Sequence, residues 1–232
     1  MYLEVGTLDA AGYTRHMGSR ERLVEAMAEL MWERGYSATS PREVRELSGV
    51  GQGSMYHYFP TKRDLGLAAL RHNCQKQSEV SDAALESSDD PLEALTAYIS
   101  LPRQALRGCR VGRMAQDRAV MADDELRAVV AQAFDRLHEK LVVVIGAAIT
   151  AGELPSGLDP ERLAYMLVAV LQGGYVLSIA RQDPTPYQAA AQGALELLGA
   201  AGGSAPTAAL SDPSPAPVLA RVGRTAPQGE KS

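Results

Sequence analysis

Between Ser40 and Val50 the chain carries both a start and a stop for one short helix. Ser40 stands three residues before Glu43, so its hydroxyl can accept from the Glu43 amide while the Glu43 carboxylate reaches back to the Ser40 amide. Pro41 takes the first helical position, where a missing N–H does no harm. Ser48-Gly49 ends the run after about two turns. A helix this short does not hold itself together in water and exists only packed on its neighbours. Val44 and Leu47 are read as its buried side, Arg42 and Arg45 as its exposed side, and Val50 as a further core contact after the turn.

The flanking segments supply those neighbours. Upstream, Leu23, Ala26, Met27, Leu30 and Met31 fall at helical spacing and predict an amphipathic helix from Ser19 that ends at Gly35. Glu21, Glu25, Glu29 and Glu33 repeat every four residues on another face. Such a ladder reads as a solvated surface rather than a metal or acid–base site. Downstream, Gly51 to Lys62 holds two glycines, a hydroxyl, three aromatic rings, an imidazole and a lysine, which suits a core poorly. It predicts a tightly turned helix whose exposed groups donate hydrogen bonds to phosphates and bases. Two short helices across a glycine-containing turn make a helix-turn-helix. Thr61 then opens a long helix to about Leu85.

The rest reads as a second, all-helical unit. Helices are expected at about 91–107 (bent at Pro102), 112–121, 124–151, 160–182 and 186–199, most of them opened by an Asp or Thr cap before proline or acid. No period-two strand pattern competes. The expected organisation is a flexible arm at 1–17, a DNA-binding domain at 18–63, a ligand-binding and dimerisation domain at 64–200, and a disordered tail rich in Ala, Pro, Gly and Ser at 201–232. Met17 as the start of translation is an alternative to the arm.

A formal charge of −5 argues against a nucleic-acid coat over the whole surface and says nothing against a local patch. Residues 19–63 hold seven basic and six acidic side chains, net +1, and four of the acids lie on the first helix. Cys74 and Cys109 form no CxxC, no signal-peptide pattern opens the chain, and the longest apolar run, 141–149, is too short to span a bilayer. A cytoplasmic protein with no membrane role is expected.

Gly35-Tyr36, Thr39-Ser40, Val44, Gly49-Val50, Gly53-Ser54, Tyr56-His57-Tyr58-Phe59, Lys62 and Leu65 together resemble the tetracycline-repressor (TetR) family of bacterial transcriptional regulators. The resemblance implies an all-α fold, an operator DNA partner and a homodimer formed by helices about 160–182 and 186–199. It places Gln52, Ser54 and Tyr56 in or beside the major groove, Arg42 and Arg45 nearby, and Thr39, Ser40, His57, Tyr58 and Lys62 on the DNA backbone. Phe59 is assigned to the core.

Two residues depart from the family pattern: Gly51 stands where a Ser or Thr cap is usual, and Arg45 where a small residue packs. The resemblance also implies a pocket for a small hydrophobic molecule, with Tyr98, Met114, Phe134, Met166 and Tyr175 as candidate lining. No cofactor, metal or catalytic residue is implied. Two other readings remain open, a DNA-binding regulator without a ligand and an all-helical enzyme. Against the enzyme, His16, His57, His72 and His138 are scattered, and neither a metal-binding HExxH nor a phosphate-binding glycine loop is present.

Overall fold

The computed structural model describes residues 17–203; all but residue 17 of the arm expected at 1–17, and all but residues 201–203 of the tail expected at 201–232, lie outside the described residues. Within them the chain forms α1 (Ser19–Arg34), α2 (Pro41–Ser48), α3 (Gln52–Tyr58), α4 (Lys62–Leu85), α5 (Pro91–Ile99), a 3-10 turn (Met114–Gln116), α6 (Arg118–Ala122), α7 (Asp124–Thr150), α8 (Pro160–Arg181) and α9 (Thr185–Gly202). The fold is all-α.

Caps adjacent in sequence set most of these starts. Ser40 and Glu43 close the expected reciprocal box on α2, and Thr61 and Asp64 close a second one on α4. Asp90, Asp117, Asp123 and Asp159 each accept from amides in the first turn of α5, α6, α7 and α8.

The described residues form two hydrophobic cores, and α4 runs from one to the other. The first gathers Leu23, Met27 and Met31 of α1, Val44, Val50, Met55 and Phe59 around the turn, and Leu65, Ala69 and Leu70 of α4. Val111, Met114, Val120, Leu126 and Val130 close it from the far part of the sequence. The second gathers Leu85 at the end of α4, Tyr98 and Ile99 of α5, Leu141 and Ile145 of α7, Leu167 and Tyr175 of α8, and Tyr187 and Leu195 of α9. Helices α8 and α9 pack on each other, while α4 packs on α1, α5 and α7.

The structure corrects the sequence reading at four places. Leu47 is 46% exposed rather than buried, because Val44 and the Ser48 side fill the α2 contact. Helix α5 stops at Ile99 instead of bending at Pro102, since Pro102 disfavours helical backbone at Leu101 and lacks the amide needed to continue. In place of the expected helix 112–121, a turn-rich strap over residues 100–117, which includes the 3-10 turn, leads into α6; Gly108 within this strap takes a left-handed φ of 76°. Helix α9 reaches Gly202, three residues past its expected end and into the expected tail.

Candidate nucleic-acid interface

Helix α3 is pinned from one side only. Met55 is 3% exposed and Phe59 5%, whereas Gln52, Ser54, Tyr56, His57 and Tyr58 all face outward, Tyr56 at 45% and Tyr58 at 42% exposed. Gly51 is the N-cap and offers no side chain to the first amides. The Arg45 guanidinium donates to Gln52 Oε1 at 3.0 Å, so α2 and α3 are linked through the residue read as the base reader. This leaves the Gln52 amide group free to donate while its oxygen keeps a second lone pair. His57 and Tyr58 meet edge to face at 5.3 Å between centroids.

The remaining residues of the predicted interface sit differently from one another. Arg42 is exposed and pairs with Glu46 at 2.7 Å. Ser40 is half-buried and donates its hydroxyl to Glu43 at 2.7 Å. Thr39 is buried, and its hydroxyl donates to the Gly35 carbonyl at 2.8 Å, so this group closes the end of α1 rather than facing solvent. Lys62 is folded over the Tyr36 ring at 4.6 Å with its ammonium 3.4 Å from the Ser37 carbonyl, and burial pulls its pKa below the usual lysine value. Arg20 stacks over Phe59 at 5.3 Å.

Comparison with known proteins fits this geometry. The family description "Bacterial regulatory proteins, tetR family" matches residues 19–69, and "Tetracyclin repressor-like, C-terminal domain" matches residues 90–194. The HTH-type transcriptional regulator Rv0196 of Mycobacterium tuberculosis is 33% identical over 185 residues, covering 73% of this chain and 88% of its own.

The chain belongs to the TetR family of bacterial transcriptional regulators. As a TetR-family protein it is a DNA-binding transcriptional regulator with an N-terminal helix-turn-helix. The regulatory protein TetR from Rhodobacter sphaeroides superposes with a TM-score of 0.69 at 25% identity, covering 77% of this chain and 97% of that one. The TetR-family regulator CifR, in a cysteine mutant solved with 26 bp double-strand operator DNA, shares the fold with a TM-score of 0.64 at 20% identity, over 76% of this chain and 94% of that one.

Beyond the helix-turn-helix of this TetR-family chain, a cavity of about 40 Å³ lies between α4, α5, α7, α8 and α9. Tyr98, Phe134 and Tyr175 line it, as three of the five pocket candidates. Met114 does not: it is fully buried in the first core, against the helix-turn-helix. Met166 packs at the edge of the second core, away from the cavity.

Arg103, Cys109 and Tyr187 also line the cavity, and the sequence reading did not single them out for it. Reading 91–107 as one helix hides Arg103. The stop signal at Pro102 was the clue that Arg103 begins a strap.

That strap also reaches the DNA-binding unit. Arg107 and Arg110 both stack on the ring of Trp32 of α1, at 3.5 and 3.6 Å from its centroid, and the indole N–H donates to the Gly108 carbonyl at 2.8 Å. Arg107 pairs with Glu29 at 2.6 Å, and Arg110 donates to Asn73 of α4 at 3.0 Å. Glu25 pairs with His72 at 2.7 Å and Lys76 at 2.8 Å.

The middle of the glutamate row is therefore an ion-paired seam, because α4 and the strap both pack on that side of α1. At the other end of the unit, Arg63 grips Asp123, the cap of α7, at 2.6 and 2.9 Å, and holds the Asp123 carboxyl down at about 2.

Proposed function

We propose that this TetR-family regulator is a cytoplasmic homodimeric repressor that leaves a quasi-palindromic operator when a small, largely apolar molecule occupies the cavity. The division taken for this reading is residues 18–63 for DNA and 64–200 for ligand and dimer. The observation that carries the reading is the outward face of α3, polar along its length and braced from behind by Met55 and Phe59. Gln52 pairs bidentately with adenine and Arg45 orients it; Ser54 and Tyr56 touch neighbouring bases. Ser40, Arg42, His57, Tyr58 and Lys62 contact phosphates, with Lys62 lifting from Tyr36 to do so.

The dimer reading draws on the outer faces of α8 and α9, where Tyr165, Val176, Leu177 and Leu197 are each more than half exposed. Helix α8 is long and apolar enough to cross a membrane, with mean hydropathy 1.8, yet it is one of the helices around the second core. A second copy covering its outer face accounts for that composition, and a twofold axis there sets two α3 helices about 34–36 Å apart, one DNA turn.

The strap gives the ligand a path to α1, since one segment carries both Arg103 in the cavity and the two arginines on Trp32. A ligand works this way only if it binds the two arrangements with different affinity. A regulator without a ligand is the second reading, and the small volume of the cavity favours it; the unbalanced charge inside the cavity favours the first.

An electrophoretic shift of the DNA flanking the gene tests the assembly. Wild-type protein retards a palindromic duplex, and Leu177→Glu, placing charge in the proposed interface, sediments as a monomer and loses at least tenfold in affinity. A Leu177→Glu protein that stays dimeric and binds normally contradicts the interface.

A further inference from the structure

Arg103 enters the cavity directly after Pro102, and its Nε is buried without a hydrogen-bond partner. The Tyr187 hydroxyl, also on the lining, is likewise buried and makes no hydrogen bond of good geometry, with Tyr175 and Arg103 as its polar neighbours. Tyr98 of α5 lies under the guanidinium at 5.4 Å from ring centroid to Cζ, and Tyr175 of α8 and Tyr187 of α9 meet at 4.6 Å between centroids. The groups acting most on the Arg103 charge are these three phenols and the Cys109 thiol. Burial pushes Tyr98 up to about 12 and raises Tyr175 and Tyr187 as well, so the phenols keep their protons and can donate.

Asp82 is the one carboxylate on the cavity lining among the described residues, and it is already paired with Arg136 at 2.7 Å and Lys140 at 2.8 Å. Arg103 is half-buried, and a guanidinium partly withdrawn from water with no counter-charge beside it carries a cost that a leucine or methionine of similar reach would not. A small planar anion would supply that counter-charge. A carboxylate meets a guanidinium fork with two parallel hydrogen bonds and has lone pairs left for phenol donors. Phe134, Leu137 and Leu171 provide an apolar wall for a short carbon chain. The volume, about 40 Å³, is room for roughly three waters, so the chain must be short.

We propose that the cavity is an anion site, and that its ligand is a small organic acid whose carboxylate sits on Arg103 with the Tyr187 hydroxyl as a second donor. This rests on the reading of the cavity as the effector site and gives the effector its chemical class.

Isothermal titration of the full chain in the absence of DNA, in a buffer free of carboxylates, tests it with sodium acetate, butyrate and hexanoate, the matching primary amides, and inorganic phosphate. At least one of the acids binds with one site per chain, its amide binds at least tenfold more weakly, and phosphate does not compete. Arg103→Gln abolishes acid binding and Arg103→Lys retains part of it.

Equal binding of acid and amide, phosphate binding as well as the acids, unchanged binding in a folded Arg103→Gln protein, or no binding by any of the acids overturns the proposal. Should Arg103→Gln fail to fold, the acid-against-amide ratio on the wild type decides. Because no DNA is present, acid binding without any operator binding would contradict the repressor reading and leave the anion site standing.

Discussion

The helix-turn-helix and the cavity solve opposite problems with the same helical material. Around α3, polar groups are turned outward and left ready, and Met55 and Phe59 anchor the helix from behind. Around the cavity, the polar groups are turned inward, and a cation stands among three tyrosines from three different helices. A surface that recognises a charged polymer needs donors in water, where they cost nothing while unbound. A site that detects a small molecule gains from a half-buried, incompletely satisfied group, because the ligand then relieves a penalty that solvent relieves only in part. The strap at 100–117 joins the two regions, and changes along it test whether they are coupled or merely adjacent.

The largest effect is expected at Trp32, which is 6% exposed and clamped by Arg107 and Arg110. Trp32→Ala removes the ring and leaves the Gly108 carbonyl unpaired, and urea unfolding is expected to register a loss of about 3–5 kcal/mol. Trp32→Phe keeps much of the packing without the indole N–H. If the regions are coupled, it alters the response of DNA binding to ligand more than it alters DNA affinity itself.

A smaller effect is expected at Gly66, where a methyl group collides with the Tyr36 ring that also carries Lys62. Gly66→Ala is expected to cost about 1–3 kcal/mol in thermal or urea unfolding. It also displaces Lys62 and weakens DNA binding while leaving the cavity intact. The smallest effect is a gain. Gly51 has extended backbone and nothing within 4 Å of an added Cβ, so Gly51→Ser supplies the missing cap of α3 and stabilises by a few tenths of a kcal/mol, read as a small rise in Tm.

These same regions differ in how much of them the sequence discloses. The starts of α2 and α4, the buried stripe of α1, the burial of Phe59 and the outward Gln52 follow from residues a few positions apart, because capping and amphipathic period are local physics. Leu47 was misread since its burial depends on how much of α2 the neighbouring helices cover, and spacing alone does not say. Thr39 looked like a free hydroxyl, and its use inside the fold depends on the chain reversing at Gly35 to bring a carbonyl within reach. The cavity was legible only in part: Tyr98, Phe134 and Tyr175 reach it. Arg103 and Tyr187 meet there through packing across more than eighty residues, and Met114 is drawn instead into the first core. The clamp on Trp32 is of the same kind, 76 residues apart in sequence and invisible to any local pattern.

The central claim is that the outward face of α3 reads DNA, and fluorescence anisotropy with a labelled duplex from the DNA flanking the gene tests it most directly. The account predicts that wild-type protein prefers this duplex to a scrambled one. Gln52→Ala is expected to lose about 1–3 kcal/mol on the specific duplex and almost nothing on the scrambled one, at matched salt. Equal affinity of wild type and Gln52→Ala for the specific duplex, or no binding to any duplex at low salt, would contradict it.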